Sequence, residues 1–195
     1  MNIDFMERQK QGNYILRQKG IVVWLTGLPG SGKSTLAEGL EARLINMNRL
    51  VYILDGDVVR RGLNSDLGFS DADRNENIRR VAELAAILKD ASVITIVAFI
   101  SPFSKMREFA RARAGKDNFI EVFVKASLET CIKRDPKGMY KKAISNQIKD
   151  FTGINSAYEV PECPDLIIDT EKLSVEESTD LLLSTVVKYI DKLAE

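Results

Sequence analysis

Residues 21–35, "IVVWLTGLPGSGKST", constrain this chain more than any other stretch. An apolar, β-branched run stops at Gly27, and Lys33 then arrives with two hydroxyl residues, Ser34 and Thr35, directly behind it. Gly27, the four residues Leu28, Pro29, Gly30 and Ser31, and then Gly32-Lys33-Ser34 fit the pattern G-x-x-x-x-G-K-[ST]. Glycines allow the backbone to aim several N–H groups at one anion. A helix beginning at Lys33 adds its N-terminal donors and the positive end of its dipole. Lys33 has the reach for β- and γ-phosphates, and the Ser34 hydroxyl suits Mg2+. The context is what the mechanism requires: a strand signal comes before the loop, and Leu36, Leu40 and Leu44 follow at helical spacing. A dinucleotide site is a weaker rival. Asp55 lies about 20 residues on, where a ribose-binding acid would sit, but G-x-G-x-x-G is absent. The loop is therefore an ATP or GTP site. N-K-x-D, the usual guanine-reading string, is also missing; "ISNQIKD" does not fit it. The chain is too short for a motor with coupled domains, so phosphotransfer to a small acceptor is the leading class.

The same strand-then-helix order continues downstream. "LVYILDGD", "SVITIVAFI", "FIEVFVKA" and "DLIIDT" read as strands, with helices predicted over 71–91, 101–115 and roughly 174–193. Asp71 is a candidate N-cap for the first of these helices. Ser101 is the candidate cap of the second, with Pro102 at its first position. Strands separated by helices imply right-handed crossovers. The fold class is α/β: a P-loop NTPase three-layer fold with a mainly parallel sheet flanked by helices. Residues 135–164 fit neither period and carry Pro, Gly, lysines and tyrosines, which marks a mobile lid. Residues 1–20 read as an N-terminal extension, a helix suited to packing on a neighbouring subunit, and 21–195 as one domain. In 195 residues, 28 basic and 28 acidic side chains cancel, which argues against a broad nucleic-acid footprint. Cys131 and Cys163 lie far apart with no zinc spacing and read as reduced thiols. No apolar signal core opens the chain, and no run approaches the ~20 apolar residues of a membrane helix, so cytoplasm is the default.

Chemistry beyond the loop gathers after the second predicted strand. Ligands of open parallel sheets bind past the carboxyl ends of strands, where Asp55 and Asp57 fall. One carboxylate is suited to orient Mg2+ through water and the other to take a proton from an attacking hydroxyl, although both also suit a turn cap around Gly56. Arg60 lies one helical turn past Asp57, and Arg74 and Asn77, three apart, share a helix face. Converging guanidinium groups suit phosphate or sulfate oxygens. Phe69 and Phe151 suit an aromatic base between them; each alone also suits an apolar core.

With these residues assembled, the chain resembles the adenylylsulfate kinase family. The resemblance runs from about residue 20 to 170 through "GLPGSGKST", "LDGDVVRRGLNSDLGFS", "DRNENIRR", "FISPF", "EVFVKASLETCIKRDPKGMYKKA" and "IKDFTGINSAYEVP", in that order. It implies transfer of the ATP γ-phosphoryl group to the 3′-hydroxyl of adenosine 5′-phosphosulfate, giving the 3′-phosphorylated nucleotide and ADP in sulfate assimilation. By the resemblance, Gly27 through Thr35 and Arg134 bind ATP, with Lys33 on its phosphates, and Ser34 and Asp57 lie at Mg2+. Asp57, Arg60, Phe69, Arg74, Asn77, Ile100, Ser101, Lys149 and Phe151 hold the acceptor, and Lys137, Lys141 and Lys142 belong to the lid near both nucleotides. It also implies a homodimer. Ser101 carries two readings, the phosphoserine that family descriptions assign and a helix-capping serine explained without catalysis. One departure is Val58, where the family often has asparagine. Two other readings stay open: a P-loop kinase for another nucleotide-like or sugar acceptor, and a nucleotide-binding module without turnover.

Overall fold

The computed structural model describes residues 12, 16 and 18–192. Five parallel strands form one sheet: β1 (Ile21–Thr26), β2 (Val51–Asp55), β3 (Ile94–Ala98), β4 (Phe119–Lys125) and β5 (Leu166–Asp169), in the order β2-β3-β1-β4-β5. Strand position follows composition. β1 and β3 are apolar but for Thr26 and Thr95 and are buried along their whole length, whereas the edge strands β2 and β5 each expose an alternate side chain, Tyr52 and Ile167. The register sets Ile21 against Ile94 on one side of β1 and Val22 against Phe119 on the other.

Side chains alternate along β1 between two cores. Ile21, Val23 and Leu25 pack on the leucine face of α1 (Lys33–Asn46) and on Leu182 and Val186 of α7 (Val175–Lys192). Val22 and Trp24 pack on Ile78, Val81 and Ala85 of α3 (Asp71–Asp90), and on Met106 and Ala110 of α4 (Ser104–Ala114). The three-layer architecture is thus built by the period-2 and period-3.6 patterns of the sequence. A third, small cluster of Cys131, Tyr140, Ala143 and Phe151 lies away from the sheet. It joins α5 (Leu128–Arg134) to α6 (Met139–Ile144), the latter a short helix inside the segment expected to be an irregular lid. The equally short α2 (Gly56–Arg61), following β2, also carries no periodic signal of its own.

Two expected caps fall elsewhere. Ser70, not Asp71, caps α3: its Oγ accepts from Asp73 N at 3.2 Å and donates to Asp73 Oδ2 at 2.7 Å. Asp71 is the first helical residue. α4 begins at Ser104, with Phe103 at the cap position, so Ser101 and Pro102 lie before the helix. The physical reason is that the Ser101 hydroxyl is engaged by the Trp24 indole N–H at 3.0 Å, while Glu159 supplies the acceptor for Ser104 N at 2.6 Å. The helix expected within residues 1–20 lies largely outside the described residues. Gln18 is fastened to the domain: its amide nitrogen donates to Leu50 O and Ser92 O, and its oxygen accepts from Leu50 N. No described helix is long and apolar enough to cross a membrane. Both cysteines are free, Cys131 buried and Cys163 exposed.

Candidate active site

The loop between β1 and α1 has the geometry that its glycines predict. Gly27 takes φ +154°, and a Cβ there would come within 2.4 Å of the Val124 carbonyl oxygen. Gly32, at φ +106°, precedes the first residue of α1 in a conformation that L side chains rarely adopt. Lys33 is the first residue of that helix and is nearly buried; its Nζ donates to the carbonyls of Gly27 at 3.0 Å and Leu28 at 2.8 Å. Burial pushes the ammonium pKa down to about 8, against the raising influence of Cys131 and Asp55. Ser34 Oγ donates to Asp55 Oδ2 at 2.9 Å.

Asp55 ends β2 and caps α2, accepting from Asp57 N through its other oxygen at 2.9 Å. The two acids therefore divide their contacts. Asp55 faces the phosphate loop, whereas Asp57 is exposed and paired with Lys137 from the lid segment. The resemblance implies Asp57 beside Ser34 at Mg2+; in the structure the carboxylate that bonds to Ser34 is that of Asp55.

A cavity of about 1210 Å3 opens between the loop and these acids. Of the residues expected to hold the two nucleotides and Mg2+, all line it except Gly27 and Leu28. Arg74 is buried in α3. Its Nε donates to Phe69 O at 2.9 Å, and its terminal nitrogens donate to Thr152 Oγ1 and Asp150 O, so it clasps the lid segment from the far side of the cavity. Asn77, one turn on, accepts from Asn64 Nδ2 at 2.8 Å. Arg60 lies 4.6 Å over the Phe69 ring and donates to Gly68 O at 3.0 Å. Burial, then the neighbouring Arg74, lowers its pKa. Phe69 is exposed, but Phe151 is 9% exposed and packs edge-on against Tyr140 at 4.9 Å between ring centroids. The two phenylalanines thus differ: one ring is exposed beneath Arg60, and the other is part of the cluster around Tyr140.

Lys137 and Lys149 line the cavity; Lys141 and Lys142 are exposed on α6 and do not. The lid is tied to the phosphate loop by Tyr140, whose hydroxyl donates to Pro29 O at 2.9 Å. On the opposite flank Arg134 donates to Thr170 Oγ1 at 2.9 Å and Thr170 O at 2.7 Å, and Thr170 Oγ1 donates to Ser31 O at 3.0 Å. Thr170 and Tyr140 were not picked out from the sequence. Thr170 follows β5, and the rule that ligands gather past strand carboxyl ends would have found it. Asn64, which holds Asn77, carries no local signal. Among the described residues no group of His, Cys, Asp or Glu has the arrangement of an all-protein metal site.

A strand-to-helix phosphate loop at the centre of a parallel sheet, with lysine, serine and paired acids around one cavity, defines a P-loop phosphotransferase. The family model for adenylylsulphate kinase matches residues 19–169. The chain is 54% identical over 169 residues to the adenylyl-sulfate kinase of Clostridium acetobutylicum, covering 87% of this chain and 84% of that one. It is 50% identical over 189 residues to the adenylyl-sulfate kinase of Bacteroides thetaiotaomicron, covering 97% and 94%. Its fold is similar to the Mycobacterium tuberculosis APS kinase CysC in complex with AMPPNP and APS, with a TM-score of 0.84, 42% identity and coverage of 87% and 99%. This chain belongs to the adenylylsulfate kinase family and is a kinase that transfers phosphate to a hydroxyl.

Proposed function

We propose that the chain transfers the γ-phosphoryl group of ATP to the 3′-hydroxyl of adenosine 5′-phosphosulfate, and that the cavity described above holds both nucleotides. The single observation that carries this reading is the meeting, around one cavity, of the phosphate loop with Phe69, Arg74, Asn77, Ile100 and Lys149. The M. tuberculosis relative, solved with an ATP analogue and APS together, supports the pairing of substrates.

The donor is held by the backbone N–H groups of residues 27–35 and by Lys33. Lys33 exchanges the Gly27 and Leu28 carbonyls for phosphate oxygens. Arg134, fixed by Thr170 beside Ser31, flanks the same loop. Ser34 and Asp55 fit Mg2+, since a hydroxyl and a carboxylate 2.9 Å apart are hard oxygen donors next to the phosphate loop. When bound, the ion neutralises charge on the transferring group. Asp57, two residues on and exposed, is placed to accept the proton of the attacking hydroxyl, with Lys137 as its counter-charge. Arg74 and Arg60 give the acceptor side positive charge, which suits a phosphosulfate, and Phe69, with Arg60 over one face, offers its exposed ring to the adenine.

Ser101 is read here as structural, because its hydroxyl is buried and accepts the Trp24 N–H. In-line transfer between two bound nucleotides needs positioning and charge stabilisation, and no serine intermediate. Action in the cytoplasm as a homodimer, within sulfate assimilation and without nucleic acid, completes the proposal. A hexameric APS kinase from Thiobacillus denitrificans, 35% identical and similar at a TM-score of 0.68, supports self-association in general. The test is ADP release from Mg-ATP with and without adenylyl sulfate. Release that depends on adenylyl sulfate is expected. Release only with a different hydroxyl compound, or none with any, overturns the reading.

A further inference from the structure

The turn from Ile100 to Pro102 forms part of the cavity wall and has a conformation that must be held. Ser101 has φ +39°, in the left-handed region, which is strained for any residue with a Cβ. All three carbonyls of the turn are drawn to protein donors, Pro102 O by Glu159 N at 2.8 Å. Ile100 O accepts from Thr26 Oγ1 at 2.6 Å, and Ser101 O accepts from Arg107 at 2.8 Å. The Thr26 hydroxyl in turn lies 3.0 Å from the Tyr158 hydroxyl.

Arg107 itself is 3% exposed and does not line the cavity. Its Nε donates to Glu121 Oε1 at 2.9 Å, and Glu121, on β4, is also buried. A buried Arg–Glu pair is a poor way to gain stability, because desolvating two charges offsets most of their attraction. What this pair does provide is direction: the planar guanidinium takes Glu121 with one edge and the Ser101 carbonyl with another. A carbonyl oxygen left facing the cavity would repel an anionic acceptor.

We propose that Arg107, with Glu121 as its counter-ion, is a positioning residue for the acceptor substrate, holding the 100–102 turn in the shape that completes the acceptor side of the cavity. The proposal rests on the acceptor reading above. It uses no contact between Arg107 and either nucleotide.

The experiment is steady-state kinetics of the full chain with both substrates varied, together with a melting curve. Wild-type protein without turnover of adenylyl sulfate overturns the acceptor reading and this proposal with it. With turnover present, the variants judge the proposal alone. Arg107→Gln is expected to raise the KM for adenylyl sulfate about tenfold while the KM for ATP stays within about twofold. Arg107→Lys should fall between, since an ammonium cannot serve both partners in the same fork. Glu121→Gln should move the same KM in the same direction by less. Equal rises in both KM values, or a lowered melting temperature with both KM values unchanged, overturn the proposal, since those are the marks of a merely structural pair. Should Arg107→Gln fail to fold, two variants at the other donors to this turn carry the test. Thr26→Val removes the donor to Ile100 O together with the contact to the Tyr158 hydroxyl, and Trp24→Phe removes the donor to Ser101 Oγ together with part of a buried ring stacked on Phe119. Each is expected to raise the acceptor KM about threefold and not the ATP KM. An unchanged acceptor KM in both overturns the proposal.

Discussion

The proposed donor side and the proposed acceptor side of this cavity are built by different means. The phosphate loop is made by six consecutive residues, 27–32, between a fully buried strand and the helix that follows it, and its shape is set by backbone conformation. The acceptor side is assembled from α2, the start of α3, the 100–102 turn and residues 148–152, segments joined chiefly by side chains. A backbone-built site tolerates almost no change at its glycines and forms wherever its strand and helix form. A side-chain-built site depends on long-range contacts such as Arg74 to Thr152, and is the part that evolution or mutation can retune without unfolding the sheet.

The largest expected effect breaks the donor side. Lys33→Ala should lower kcat by roughly 10²- to 10³-fold, as loss of one preorganised charge at the transferring group does. Steady-state turnover at saturating substrates checks it, with circular dichroism showing the fold retained. Gly27→Ala should be nearly as damaging but for a different reason, since the added Cβ meets Val124 O at 2.4 Å. Nucleotide affinity measured by calorimetry should collapse, and the melting temperature should fall as well.

The acceptor side should respond more mildly and more selectively. Phe69→Ala is expected to raise the KM for adenylyl sulfate by roughly tenfold, in keeping with the ~1–3 kcal/mol of a stacked base, with the ATP KM little changed. Tyr140→Phe, which removes the lid's hydroxyl from Pro29 O, should cost about 1 kcal/mol of lid closure and raise both KM values a few-fold. That variant sharpens the comparison, because segment 135–164 lines the cavity and is tied to the phosphate loop through Tyr140.

The smallest effect is a pH dependence. The folded pKa of Lys33 is lowered to about 8 from its usual 10.5 by burial, so charging it opposes folding. The penalty is fully present below about pH 8 and is relieved as pH rises toward the unfolded value. Phosphate oxygens favour the ammonium, so nucleotide binding should draw in a fraction of a proton near pH 8 and weaken above it. Calorimetry in two buffers of different ionisation enthalpy measures this uptake, and Lys33→Met should abolish it.

How much of the molecule was legible in the sequence follows from the same contrast. Gly27, Gly32, Lys33 and Ser34 were legible because their reasons lie within a few residues of each other, and the five strands because apolar runs of that length have few alternatives. Caps were less so. Ser101 before Pro102 has a cap's sequence, but the Trp24 indole, far away in the chain, takes its hydroxyl and Glu159 takes over at α4. The division of labour between Asp55 and Asp57 also depended on a distant group, Lys137, which no local pattern ties to either acid. Phe151 was picked out as an aromatic ring suited to a base, yet its burial against Tyr140 belongs to a cluster whose members, from Leu28 to Ile154, share no period.

The most direct test follows the phosphoryl group itself. Incubating the protein with Mg2+, ATP labelled in its γ-phosphate and adenylyl sulfate should place the label on the 3′-oxygen of the acceptor, in equal amount to the ADP formed. The matching 3′-deoxy acceptor should receive none. Label appearing as inorganic phosphate, or on the protein with turnover lost in Ser101→Ala, would contradict direct transfer between two nucleotides held in one cavity.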